Sequence, residues 1–82
     1  TSAMNGDNAI DIAKHWDAGE TGCGALIMGL KRAIGQIRGG ELLQVTARDS
    51  AAPIDLVAWC QMTGNALVSE DHPIYVLQKR DD

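Results

Sequence analysis

The 82-residue sequence is poor in cysteine, in basic residues and in long apolar runs, and each shortage excludes a class of protein. Two cysteines, Cys23 and Cys60, do not make the dense framework of a small secreted disulfide domain, so we expect reduced thiols. Seven Lys and Arg against eleven Asp and Glu give a net charge of -4, which argues against direct binding to nucleic acid and favours protein partners. No apolar run reaches about 18 residues and the N-terminus lacks a secretory pattern, which predicts no membrane insertion and a cytoplasmic location.

The composition that remains is that of one small globular domain. Hydrophobic residues make up 45% of the chain, enough for a single core, and no internal repeat or linker interrupts it. The first eight residues are small or polar, and we expect them to be a disordered lead or a remnant of cloning. The domain itself is predicted to span residues 9–80.

Alternation and helical periodicity predict the first half of this domain. Residues 9–16 alternate as a strand does, and residues 24–37 carry apolar side chains at helical spacing, with glycines 39 and 40 expected to end the helix. Residues 41–48 alternate most regularly and are predicted to form the second strand. The helix is expected to bury one face, composed of Leu26, Ile27, Leu30, Ala33, Ile34 and Ile37.

The second half is predicted to contain another helix and a hairpin. Asp49 and Ser50 are expected to accept hydrogen bonds from the first turn of a helix that carries an early Pro53 and stops at Gly64. Two apolar runs within residues 66–79 surround a turn at His72 and predict the hairpin. The apolar residues of this helix are expected to be Ile54, Val57, Ala58, Cys60 and either Gln61 or Met62.

The predicted order is therefore β-α-β-α-β-β, an α+β fold. Right-handed crossovers place both helices on the same face of one small sheet, and the opposite face is left open to solvent or to a partner.

Cys23 is the candidate functional residue because it stands between a Gly-rich acidic turn and the first helix. Unpaired N–H groups and the positive end of the helix dipole favour a thiolate there, whereas Asp17 and Glu20 would raise the pKa of the thiol if they came close. Free cysteines are also often small buried residues. The residues alone leave open whether Cys23 is an exposed thiolate or part of the core.

Several segments resemble the TusA/SirA-like sulfur-carrier family. The resemblance rests on WDAGETGC at residues 16–23, GELLQV at 40–45, DSA at 49–51, DL at 55–56, WC at 59–60 and GNAL at 64–67. It implies a two-layer sandwich with a mixed four-stranded sheet, like the C-terminal domain of translation initiation factor 3. It also implies a sulfurtransferase-like carrier without a cofactor, in which Cys23 accepts sulfane sulfur as a persulfide from a donor protein and passes it to an acceptor protein.

The chain departs from the family where Cys-Pro-x-Pro is replaced by Cys23-Gly24-Ala25-Leu26. Glycine leaves the backbone beside the thiol less constrained than proline does. Two interpretations follow: a divergent carrier that keeps its thiol chemistry, which we favour, or an interaction or regulatory module with the same fold. A third is a redox protein in which Cys23 pairs with Cys60.

The other chemistry-bearing residues are expected to have structural roles. Cys60 is predicted to lie in or near the core rather than to resolve a disulfide, and Met28 and Met62 are predicted to pack. His15 and His72 lack the spacing of a metal site, which leaves a solvated strand residue and a turn residue.

Four basic residues are further candidates for roles around the thiol. Three of them are predicted to form a solvated helix face, with steering of an acidic partner or an anionic persulfide carrier as the alternative: Lys31, Arg32 and Arg38. Arg48, at the end of the second strand, is a candidate to lie near the thiol and favour its anion.

Overall fold

The computed structural model describes residues 12–20 and 22–81, together with the backbone but not the side chain of Cys23. The predicted lead of eight residues, and residues 9–11 of the first predicted strand, lie outside this part. The elements are β1 (Ile12–Gly19), α1 (Cys23–Ile34), β2 (Leu42–Ala47), α2 (Ala52–Thr63), β3 (Ala66–Asp71) and β4 (Ile74–Gln78). This order confirms the predicted β-α-β-α-β-β arrangement.

The four strands form one mixed sheet in the order β1-β2-β4-β3. β1 and β2 are parallel, and β4 is antiparallel to both of its neighbours, so the last strand in the chain lies inside the sheet. Both helices pack on the same face, and their apolar residues share a single core with Leu43, Val45, Tyr75 and Leu77. The two-layer α+β sandwich is therefore confirmed.

β1 shows the predicted alternation but is longer at its C-terminal end. Lys14 and Trp16 are half-buried while His15 is exposed, as the pattern requires. The strand continues to Gly19, at a place where we expected a turn to begin at Asp17. It extends because these residues still pair with the end of β2, through a register shift that Gly19 accommodates with a φ of +65°.

α1 buries the predicted face, but its predicted C-terminal end is wrong. Leu26 and Leu30 are fully buried and Ile37 is 7% exposed. The helix ends at Ile34 rather than at the glycines at 39 and 40, because Gly35 is the C-cap and donates its N–H to the Lys31 carbonyl. Ile37 reaches the core from the turn that follows.

β2 and the hairpin agree with the prediction. Leu43, Val45 and Ala47 face the core along β2, and β3 and β4 pair on either side of the turn at residues 72 and 73. Within that turn His72 Nδ1 and the Tyr75 hydroxyl are hydrogen-bonded, which gives the buried Tyr75 side chain a polar partner.

The predicted apolar face of α2 is confirmed at Cys60 and wrong at the other predicted residues. The helix packs against the sheet through four residues at a different helical angle: Ala52, Leu56, Trp59 and Cys60. Ile54 is 74% exposed and Met62 is 79% exposed, and Val57 and Ala58 are exposed too. α2 carries more apolar residues than one core-facing stripe can hold, so some of them face outward.

The N-terminus of α2 is also built differently from the prediction. The Asp49 carboxylate accepts the N–H of Ala51, the N-cap residue, and the Asp49 carbonyl accepts the N–H of Ala52. Ser50 supplies no side-chain cap, since the helix has no side-chain hydrogen bond at its N-cap.

The side of the sheet away from the helices carries a row of laterally paired residues, His15, Gln44, Val76 and Ser69. No other element covers this face within residues 12–20 and 22–81, as we expected from the placement of both helices. Val76 is nevertheless only 6% exposed, because it lies on the inner strand β4.

Candidate functional site

Cys23 is the first residue of α1, which confirms its predicted position at a helix N-terminus. Gly22 is the N-cap with extended backbone, and as a glycine it has no side chain to cap the helix. The first turn also contains no acidic residue. The first N–H groups of a helix have no partner within the helix. The N-terminal end of α1, where Cys23 lies, therefore carries hydrogen-bond donors and a partial positive charge.

The C-terminal end of β1 is held to the residue that follows β2 by Asp17 and Arg48. The Asp17 carboxylate accepts the Gly19 N–H at 2.8 Å and pairs with Arg48 Nη1 at 3.1 Å, while the Arg48 N–H donates to the Gly19 carbonyl. The Gly19 N–H first and Arg48 second hold the pKa of Asp17 below its ordinary value of 3.8. Both side chains are exposed, so this ion pair contributes little to the stability of the fold.

This ion pair affects how Arg48 and Asp17 could influence the ionisation of the Cys23 thiol. Arg48 lies beside the C-terminal end of β1, and its guanidinium is paired with Asp17. The negative charge of Asp17 is likewise matched by a cation, which reduces its effect on an anion near the start of α1. Glu20 is exposed.

Cys60 is buried, as we predicted. It is 4% exposed on the core side of α2, and burial raises the pKa of its thiol to about 11. A thiol with such a pKa is almost entirely protonated at neutral pH and is a poor nucleophile.

The basic residues of α1 lie at the end of the helix far from Cys23. Lys31 and Arg32 are in the last turn, where cations interact favourably with free carbonyl groups. Eight residues of helix separate Lys31 from Cys23, a rise of about 12 Å. Arg38 is exposed in the following turn, so the predicted solvated face is confirmed.

The prediction that the methionines pack is wrong for both helices. Met28 is 71% exposed on α1 and Met62 is 79% exposed on α2. Met62 lines a shallow groove of about 180 Å³ between the two helices. The groove is lined by Ile27, Asp55, Ala58, Trp59 and Met62.

Asp55 is a residue of this groove that sequence reasoning missed as a functional candidate. Its Oδ2 is buried and has no hydrogen-bond partner among the described residues. The sequence pattern that could have identified it is the surplus of apolar residues on α2. Such a surplus predicts that some apolar residues face outward, and Asp55 lies among them.

Two further observations on the described part of the chain concern membrane-spanning helices and metal ligands. None of its helices is long and apolar enough to cross a membrane. His15 is exposed on the open sheet face and His72 lies in the hairpin turn, and within residues 12–20 and 22–81 neither joins a cluster of three metal-ligating side chains.

The fold and the site together define a small α+β domain with a cysteine at the start of its first helix. Two curated proteins of Neisseria meningitidis, one from serogroup A and one from serogroup B, are each 37% identical to the chain over 57 residues. The matched region is 67% of this chain and 77% of each relative, and both relatives are named "putative sulfur carrier protein". No family model matches the chain. The chain belongs to the sulfur carrier protein family.

Proposed function

We propose that this protein is a TusA/SirA-like sulfur carrier whose working residue is Cys23. The observation that carries the proposal is the position of Cys23 as the first residue of α1, directly after an N-cap glycine that has no capping side chain. A thiolate or a persulfide anion gains from the same N–H groups and dipole. Membership of the sulfur carrier family supports the assignment.

The proposed transfer is an exchange between sulfur atoms. The Cys23 thiolate attacks the terminal sulfur of a donor protein's persulfide, the donor's S–S bond breaks, and the donor leaves as a thiolate while Cys23 gains the sulfur and its proton. Delivery repeats the step with an acceptor protein's thiolate as the nucleophile. No external oxidant or reductant enters the balance, and the partners are the donor and acceptor proteins. We place this chemistry in the cytoplasm, where thiols stay reduced.

The chain offers its own control for the assignment. Incubation with a persulfide donor is expected to add about 32 Da, one sulfur atom, to the native protein. Cys23→Ser is expected to abolish the adduct, whereas Cys60→Ser is expected to retain it, since Cys60 is buried with a raised pKa. An adduct that persists in Cys23→Ser, or no adduct on the native protein, would refute the proposal.

An interaction module with the same fold is the second candidate. The outward apolar face of α2 favours it, because this face does not depend on Cys23. A Cys23→Ser protein that keeps both its partner interactions and its activity in cells would support this alternative over the carrier.

The structure disfavours a redox pair between Cys23 and Cys60. Both helices begin at the same end of the sheet, and Cys60 lies eight residues beyond the first residue of α2, a rise of about 12 Å. A disulfide requires Cα atoms within about 7 Å.

A further inference from the structure

We propose that the groove between α1 and α2 is a docking site for a partner protein that inserts an apolar side chain flanked by a cationic one. The groove is lined by Ile27 of α1 and by Asp55, Ala58, Trp59 and Met62 of α2. At about 180 Å³ it is smaller than the roughly 300–1,000 Å³ of a typical small-molecule pocket. Its size suits one protruding side chain.

The carboxylate of Asp55 determines the chemistry of the occupant. Its buried Oδ2 has no partner in the part of the chain that the structure describes, and a buried oxygen without a partner is costly. Asp55 lines the groove, and an arginine or lysine of the partner pairs with its carboxylate through a charge-assisted hydrogen bond. The net charge of -4 further favours a partner with a basic surface.

The position of the groove connects it to the carrier chemistry. Ile27 is four residues after Cys23 and therefore on the same side of α1, one turn away. A protein seated in the groove brings its surface close to the start of α1. The identification of that partner as a sulfur donor or acceptor rests on the proposed function, whereas the groove and its preference for an apolar and cationic pair do not.

The test uses capped dipeptides as probes and amide chemical shifts as the measurement. Acetyl-Leu-Arg-amide is expected to give saturable shifts at Ile27, Asp55, Ala58 and Met62, with a dissociation constant on the order of millimolar. The analogue with citrulline in place of arginine is neutral but nearly identical in shape, and it is expected to bind about fivefold more weakly than acetyl-Leu-Arg-amide. The analogue with glycine in place of leucine lacks the apolar side chain and is expected to bind no more tightly than the citrulline analogue.

Paired variants separate the groove from the rest of the surface. Asp55→Asn is expected to remove the preference for arginine over citrulline, and Asp71→Asn, a change at an exposed strand end, is expected to keep it. Met62→Ala is expected to weaken binding about fivefold, whereas Met28→Ala, which truncates an equally exposed methionine outside the groove, is expected to leave it unchanged.

Three results would overturn the docking site: no saturable shifts, equal binding of the arginine and citrulline probes, or shifts at these residues that depend on protein concentration without peptide, which would assign the groove to self-association. Cys23→Ser is expected to bind the probes normally. Failure of the groove and failure of persulfide loading are therefore distinguishable, because the peptide assay does not use the thiol.

Discussion

Gly29→Ala is expected to destabilise the protein even though alanine is the better helix former. A Cβ at position 29 would stand 2.2 Å from Cζ2 and 2.3 Å from Cη2 of Trp16, a separation that carbon atoms do not tolerate. The indole of Trp16 packs against the core from β1 and has to move away from α1 to make room. Trp16 therefore loses part of its burial.

The magnitude follows from two opposing terms. Overpacking of this kind lowers the free energy of unfolding by about 1–3 kcal/mol, and the higher helix propensity of alanine raises it by about 1 kcal/mol. The expected net loss in the free energy of unfolding is therefore about 1 kcal/mol. In a domain of this size that loss lowers Tm by about 4–8 °C. Gly24→Ala is the matched control: a Cβ added there meets no atom within 4 Å from elsewhere in the described chain, and the same change in the same helix is expected to stabilise by about 0.5–1 kcal/mol.

Thermal and urea unfolding followed by circular dichroism measure both variants without relying on tryptophan fluorescence. In a Trp16→Leu background the obstacle is gone, and Gly29→Ala is then expected to be neutral or stabilising. The reasoning is refuted if Gly29→Ala stabilises the native protein as much as Gly24→Ala does.

Three further predictions concern the site. In the native protein Cys60 is expected to resist alkylation at pH 8 while Cys23 reacts, and peptide mass spectrometry measures the labelling of each. Rapid labelling of Cys60 in the folded protein would contradict its raised pKa of about 11. Gly24→Pro is expected to raise the unfolding free energy by about 0.5–1 kcal/mol, because the first helical turn tolerates proline; a loss in urea unfolding would contradict this. Arg48→Gln is expected to raise the pKa of Asp17 only partway to 3.8 in a carboxyl NMR titration, because the Gly19 N–H remains, and an unchanged pKa would contradict the ion pair. Since the pKa of folded Asp17 is lowered, its stabilising contribution is present above pH 4 and is lost as the pH falls through that lowered pKa.

The sequence predicted the fold where local pattern and packing agree. The alternation of Leu43, Val45 and Ala47 and the spacing of Leu26 and Leu30 each admit one buried face, and the structure buries those faces. The pattern did not predict where β1 ends, because its pairing with β2 depends on a partner about thirty residues away. The local sequence does not determine the end of a strand when that end depends on pairing with a distant segment.

α2 shows a different limit of the pattern. Its apolar residues surround the helix, so periodicity does not distinguish Ile54 from Leu56 as a core residue. The packing of α2 against the sheet makes that choice, and the same choice leaves Asp55 beside an outward groove. The position of Cys23 was predictable because glycine and a helix start are local signals.

The sheet order has a consequence for how the chain is made. β3 is joined to the sheet only by β4, which is synthesised after it and then inserted between β2 and β3. Until residues 74–78 have been synthesised, β3 has no strand to pair with, and of the described elements only the β1-α1-β2 unit and a loosely attached α2 can form. A chain that stops before Ile74 would expose β2 and β3 as unpaired edges, and such edges promote aggregation.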